Sequence, residues 1–434
     1  MGPVPKWLWV LVILNIILWS AARRKSSKDT TTIVWSKSTQ IDPFKHTYSY
    51  QGNNLVNTTA LFDRQTLDPI IKSLLRTSFA HNSYESKVIP FYRKKTGSFK
   101  SEDVTLITWI TSDRLGRLVR LAEKRKAPIS VSYYIPLRDK LATRDLALLD
   151  KLFKTHPALS QNVDVHLVTS SEILQPNTWR TVAHTFSQTD WVMLWDADFE
   201  ACTDYQDGLE EFRRNVKDKR WLGRLDHGMA ALIIPSYEWT DPSYARGRDL
   251  CPKDKRELST LYHDLTLDAF ETHNPILSHA TEYNRAVDAG FTDYYEVTEF
   301  EFGYEVYAIF RKDANVWYDQ RLVGYGFDRG AFTAQMYLSG MDLYVLPGQY
   351  AVHEEHPSYT ESMTRDSSGM TVSWMTFQLD LCHSIFQRLA TRGELHGQLG
   401  ERSISHCADL DLPEMKNDLD RLLMQSRNMG AKRM

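Results

Sequence analysis

The sequence predicts an α/β fold in which a mostly parallel, Rossmann-like sheet is flanked by helices and followed by a C-terminal helical extension. Three observations lead there. Apolar runs of strand length alternate with helical periods from Asp103 to Trp195, an order that builds a mostly parallel sheet wrapped by helices. The strand-like runs read as buried, with apolar residues on both faces. One of them ends directly in a pair of carboxylates, at the edge where open α/β sheets place their ligands.

The elements follow in order. Trp7 to Ala22 is a mostly apolar run slightly short of a bilayer span, preceded by Lys6 and followed by Arg23, Arg24, Lys25 and Lys28. Ser20-Ala21-Ala22 fits a cleaved signal peptide, whereas a large domain downstream fits an uncleaved type II anchor, which is the favoured reading for residues 1–22. Residues 23–100 are polar and read as a stem. A single domain is expected over 101–365. Its first strand is 104–110 and its first helix 113–124, with Leu115, Val119 and Leu121 on one face. Strand 129–135, helix 139–155, strand 163–168 and helix 177–186 lead into strand 191–195. Later strands are expected at 230–235, 305–311 and 343–347. The extension over 366–434 carries helical patterns at Val372–Arg392 and Leu412–Met424 whose spacing suits packing against the domain.

Charge and cysteine content exclude some classes of function. Lys+Arg 52 against Asp+Glu 55 gives a net charge of −3, which leaves no basic field to hold a phosphate backbone, so nucleic acid is not an expected partner. The 12 Trp and 21 Tyr suit both cores and sugar faces. Cys202, Cys251, Cys382 and Cys407 contain no Cys-x-x-Cys pair, so neither zinc nor redox chemistry is indicated. They allow two disulfides in any of three pairings, or free buried thiols. Export to an oxidising lumen would also make Asn57-Thr58-Thr59 a glycosylation acceptor.

The chemistry centres on Trp191-Val192-Met193-Leu194-Trp195-Asp196-Ala197-Asp198. Two other Asp-x-Asp pairs, Asp409/Asp411 and Asp418/Asp420, lie in helical or turn-like surroundings and read as solvated faces. Asp196 and Asp198 instead leave an apolar strand on one side, and two hard oxygens there suit Mn²⁺ or Mg²⁺ chelated by a diphosphate. His353, after the apolar stretch 343–347, is the candidate third ligand, with Glu354 and His356 as competitors; an imidazole favours Mn²⁺. Arg321-Leu322-Val323-Gly324-Tyr325-Gly326-Phe327-Asp328 is glycine-punctuated. It reads either as a loop approaching a ligand or as a turn with Asp328 capping a helix.

These segments together resemble glycosyltransferase family 49, the family of the second catalytic domain of LARGE and of a glucuronyltransferase acting on dystroglycan glycans. The resemblance runs from about Asp103 to Pro357 through DVTLITWITSDRL, NTWRTVA, LWDADF, ALIIPSYE, FEFGYEVYAIFRKD, YDQRLVGYGFDR and LPGQYAVHEEHP. It implies a GT-A fold, a UDP-sugar donor, Mn²⁺ dependence, inversion, and a type II Golgi membrane protein with a luminal catalytic domain. By carry-over, Asp196, Asp198 and His353 match metal positions, and Asp113, Arg114, Asn177 and Arg180 match donor-side segments. Glu305 falls in an acceptor-side segment. Asp328 and Thr181 stand where the family carries Asn, which bears on the choice of donor sugar.

Inversion requires a base to take the acceptor hydroxyl proton, and Asp328 is the first candidate, Glu305 the second. The acceptor would be a glycan or glycoprotein. The rival reading is a non-catalytic relative that binds glycans or a partner enzyme, and retention of both Asp196 and Asp198 argues against it.

Overall fold

Short strands and helices alternate throughout the computed structural model, which describes residues 56–57, 86–136, 142–170, 174–245, 249–272, 279–314, 316, 318–324, 326–355, 367–408, 410 and 421. The first elements are β1 (Val56–Asn57), β2 (Ser86–Arg93), β3 (Val104–Ile110), α1 (Leu115–Lys124), β4 (Ile129–Pro136), α2 (Ala142–Thr155), α3 (Pro157–Asn162), β5 (Val163–Ser170), α4 (Pro176–Phe186) and β6 (Trp191–Leu194). Next come β7 (Phe199–Ala201), α5 (Tyr205–Asn215), α6 (Lys219–Asp226), β8 (Ala230–Ile234), β9 (Ser236–Trp239), α7 (Lys255–His263), β10 (Leu267–Ala269), α8 (Tyr283–Asp288), β11 (Tyr295–Glu296) and β12 (Tyr307–Arg311). The last are α9 (Asp328–Leu338), β13 (Asp342–Val345), β14 (Ala351–His353), α10 (Ser367–Arg392) and α11 (Gln398–Ala408).

The centre is built from strands that are apolar on both faces. All of β3 except Trp109 is buried, and so is all of β6. Leu106, Ile107, Met193 and Leu194 are fully buried, and each such side chain contributes about 1.5–3 kcal/mol of transfer free energy. In α1, Leu115, Leu118, Val119, Leu121 and Ala122 cover the sheet, which turns the arginines of the same helix away from the core. Helix α4 starts on Pro176, whose fixed φ and missing N–H cost nothing in a first turn.

The large sheet has the order β1-β2-β5-β4-β3-β6-β12-β8-β13-β11. Its run β5-β4-β3-β6 is parallel, as expected. β12 lies antiparallel to both β6 and β8, and β13 returns parallel to β8, so the complete sheet is mixed. From β3 the chain winds outward through β4 and β5 on one side and then crosses to place β6 on the other. That reversal sets the carboxyl ends of β3 and β6 side by side, the place where such sheets bind ligands. A second sheet, β10-β9-β14-β7, stands beside it.

Regular structure begins earlier than the sequence predicts, because β2 lies within the expected stem. It pairs with β5 along one edge and its register shifts between Ile89 and Arg93, around Phe91 with φ 53°. β2 does hold the short apolar run Val88–Tyr92, but Pro90 interrupts its ladder and Lys87, Arg93, Lys94 and Lys95 flank it, which hides it in a polar stretch. In the extension, Phe377, Leu381, Ile385, Phe386 and Leu389 of α10 join the core that holds Phe332 and Tyr337 of α9. The predicted Val372–Arg392 helix is thus present. The pattern at Leu412–Met424 lies outside the described residues except for Arg421, and so does the apolar run Trp7–Ala22. Among the described residues, no helix is long and apolar enough to cross a membrane.

The cysteine pairing left open by the sequence is Cys202–Cys251 and Cys382–Cys407. The first bond ties the end of β7 to the segment before α7, and the second joins α10 to α11.

Candidate active site

The crevice at the switch point collects residues from five elements. Asp196 and Asp198 follow β6. Arg114 ends the 3-10 turn Ser112–Arg114 that follows β3. Asn177 and Arg180 lie in the first turns of α4, Asp328 opens α9, and His353 ends β14. The second sheet brings His353 in: β14 pairs antiparallel with β7 so that His353 lies opposite Phe199. The pairing continues one residue further, where the Glu354 N–H donates to the Asp198 carbonyl oxygen at 2.7 Å. The His353 ring is held between Phe199 and Phe270, with centroids 5.0 and 4.8 Å away.

Asp196 is the hub. Arg180 Nη2 donates to its Oδ1 at 3.1 Å, while Tyr307 Oη donates to Oδ2 at 3.1 Å. Arg329 Nη1 stands 3.1 Å from the same Oδ2. Burial pulls the Asp196 pKa up, but Arg180 and then Arg329 outweigh it and hold the carboxyl below its ordinary value. Asp196 therefore stays ionised. Burial would lower Arg180 in turn, yet Asp328 and Asp196 reverse that and keep it firmly charged.

The two base candidates hang from these two arginines. Asp328 accepts from Arg180 Nη1 through Oδ2, and its carbonyl oxygen accepts from Asn177 Nδ2 at 3.2 Å. Glu305 Oε2 accepts from Arg329 Nε at 2.9 Å and lies 2.8 Å from Nη2. Two guanidiniums thus serve three carboxylates in a buried network, one positive charge short of balance. Burial raises the Glu305 pKa to about 7, with Arg329 opposing and Asp328 and Glu271 adding to the rise. At Glu305 burial outweighs the guanidinium, so this carboxyl keeps a proton near neutrality.

Asp198 faces the other way. Arg114 Nε is 3.1 Å from its Oδ1, and Arg117 Nη1 donates to the same oxygen. Asp113 is 3.7 Å from Arg114 with its side chain 62% exposed, so it braces the turn from outside the crevice. His353 Nδ1 is 3.9 Å from Glu238 Oε2. Among the described residues, no group of three or more His, Cys, Asp or Glu side chains is gathered closely enough to hold a metal ion. Asp196, Asp198 and His353, expected as metal ligands, share one rim without forming a cage, because arginines engage both carboxylates. The donor types still suit a divalent cation, and the register of β14 on β7 sets the His353 backbone beside the segment that carries Asp198. His356 and Tyr325 lie outside the described residues.

In the loop 321–330, Asp328 is not the cap of the helix. Gly324 and Gly326 take φ of 111° and 106°, where a side chain is strained. The N-cap position of α9 is Phe327, itself left-handed at φ 58° with no side-chain cap. Asp328 is the first helical residue, and its carboxylate serves Arg180. Phe327 stacks on Trp374 of α10 at 4.9 Å, so the extension steadies this turn.

Sequence reasoning missed Arg329, Tyr307, Arg117 and Glu238. Arg329 and Tyr307 carry a weak signal, since each is a polar-tipped residue inside an otherwise apolar element. Arg117 was legible as the second of three arginines, 114, 117 and 120, spaced to share a helix side.

A family model described as "Glycosyl-transferase for dystroglycan" matches residues 103–178 and 170–378. Human xylosyl- and glucuronyltransferase LARGE1 is 30% identical over 290 residues, 65% of this chain and 35% of that protein. Rat xylosyl- and glucuronyltransferase LARGE2 is 31% identical over 273 residues, 62% of this chain and 37% of that one. The Dictyostelium discoideum glycosyltransferase-like protein gnt14 is 28% identical over 260 residues, 59% and 37% respectively. The matched region is thus little more than a third of these relatives' length. Among solved structures, mannosyltransferase PcManGT from Pyrobaculum calidifontis in complex with GDP-Man and Mn²⁺ is 13% identical. It covers 83% of this chain and 86% of that one, with a TM-score of 0.34. S. aureus TarS 1–349 in complex with UDP-GlcNAc is also 13% identical, covering 75% and 80%, with a TM-score of 0.36.

Proposed function

The chain belongs to the family described as glycosyl-transferase for dystroglycan, and on that premise we propose that it is an inverting, divalent-metal-dependent transferase moving a sugar from a UDP-sugar to a glycan acceptor. The observation that supports this reading is that Asp196 and Asp198 follow β6 at the switch point of the sheet, with β14 paired so that His353 lies opposite Phe199. Two disulfides favour an oxidising compartment, in keeping with a Golgi enzyme whose N-terminal segment anchors it.

Asp196, Asp198 and His353 would hold Mn²⁺ or Mg²⁺, with Asn177, Arg180, Arg114 and Asp113 on the donor side. A bound divalent ion supplies Lewis acidity that offsets charge on the departing diphosphate. The remaining work falls to the protein's own side chains. Arg180 and Arg329 hold Asp196 ionised and fix its orientation from both of its oxygens. The acceptor hydroxyl needs a carboxylate that can take up a proton at working pH, and efficiency is best when the base has a pKa near that pH. Both candidates are paired with a guanidinium, and Glu305, raised by burial to about 7, meets this condition. We therefore place Glu305 ahead of Asp328, the reverse of the ranking by sequence.

The test is a panel of UDP-sugars incubated with the purified protein and Mn²⁺, reading release of UDP. Metal-dependent release with at least one sugar supports the reading. No release from any donor, together with no binding of UDP in the presence of Mn²⁺, removes it and favours a glycan-binding relative.

A further inference from the structure

Three guanidiniums line the rim at Asp198. Arg114, Arg117 and Arg120 recur every three residues along the start of α1 and project to the same side. Two carboxylates face them. Asp198 Oδ1 takes Arg114 at 3.1 Å and Arg117, while Glu354 Oε2 takes Arg120 at 2.5 Å and lies 3.6 Å from Arg117 Nε. The two carboxylates are locked side by side by the backbone bond from Glu354 N–H to the Asp198 carbonyl. Arg117 stands between them with one end on each, and its side chain is only 12% exposed.

This arrangement has a consequence for the order of binding. With Asp113 3.7 Å from Arg114, three carboxylates meet three guanidiniums, so each anion at the rim already has a cation against it. A divalent cation approaching Asp198 alone must displace Arg117 and leave that guanidinium short of a partner, in a partly buried place where water screens poorly. A nucleoside diphosphate arriving with it changes the balance. Guanidinium forks bind phosphate as readily as carboxylate, so an arginine lifted from Asp198 gains a new partner at once.

Building on the proposed function, we propose that Arg117 is a resident counter-ion of Asp198 that makes cation binding conditional on the donor's diphosphate. It yields Asp198 to the ion, keeps its hold on Glu354 and turns its freed N–H groups to the phosphates. Arg117 is then a positioning and coupling residue. The coupling is reciprocal, since whatever UDP does for the cation the cation does for UDP.

The experiment uses the full chain, with Mn²⁺ alone followed by equilibrium dialysis and labelled UDP followed with and without Mn²⁺. In the wild type, Mn²⁺ alone binds weakly and strongly enhances UDP binding. R117Q should bind Mn²⁺ alone at least about fivefold more tightly and lose at least about fivefold of the enhancement. R117K keeps the charge and should leave Mn²⁺ binding near the wild-type value. E354Q gives Arg117 wholly to Asp198 and should weaken Mn²⁺ binding, an effect that shrinks when R117Q is also present. Unchanged or weaker Mn²⁺ binding in R117Q, or an equal shift in R117Q and R117K, overturns the proposal and leaves the metal reading standing. Absence of Mn²⁺-dependent UDP binding in the wild type overturns both.

Discussion

Glu305 and Asp196 share a single guanidinium, that of Arg329, which is 2.9 Å from one carboxylate and 3.1 Å from the other. A cation divided between two buried anions cannot fully stabilise both. Asp196, with Arg180 and Tyr307 as additional partners, stays ionised, whereas at Glu305 burial outweighs Arg329 and raises the carboxyl to about 7.

The first prediction is a pH profile. If Glu305 is the base, kcat/KM should rise with pH through about 7 as the carboxyl ionises, and E305Q should lose about 100-fold or more of kcat. A profile flat between pH 5 and 8, or near-normal kcat in E305Q, would return the role to Asp328.

The same shift has a stability consequence of fixed sign. A carboxyl at 4.5 when unfolded and about 7 when folded binds more protons in the folded state, so its contribution to stability falls as pH climbs from 4.5 to 7. E305Q removes that loss. Its denaturant midpoint at pH 8 should equal or exceed that of the wild type, measured by urea titration.

Asp198→Asn should abolish metal-dependent UDP release while leaving the circular dichroism spectrum unchanged, because Asp198 is on the rim and outside the core. Retained Mn²⁺-dependent turnover would rule out its place among the metal ligands.

Gly326→Ala tests the loop that presents Asp328. A Cβ at Gly326 meets no atom within 4 Å, so the cost is backbone strain at φ 106° alone, about 1–3 kcal/mol. The unfolding midpoint should fall accordingly, and an unchanged midpoint would show that the turn is not held in this conformation.

How far the sequence spoke depended on separation along the chain. Strands 104–110, 129–135, 163–168 and 191–195 fall within a residue or two of β3 to β6, because a doubly covered strand advertises itself as an apolar run. β7 and β14 are three residues each, too short for any period to emerge, and the pairing that brings His353 to Asp198 stayed invisible. Asp196 and Asp328 could be named singly, as oxygens in promising surroundings. That one side chain, Arg180, ties them together could not, since it depends on α4 and α9 meeting over the sheet. The mixed half of the sheet was hidden for the same reason: β12 joins it only after the long excursion from β9.

The strand bearing His353 is the last of the second sheet to be made, and β9 and β7 wait for it from much earlier in the chain. Asp196 and Asp198 therefore precede by about 150 residues the strand that sets His353 beside them. Loss of everything from residue 351 onward would take away β14 with His353 and also α10, whose Phe377, Leu381 and Leu389 complete the core, so the second sheet and the core are finished together.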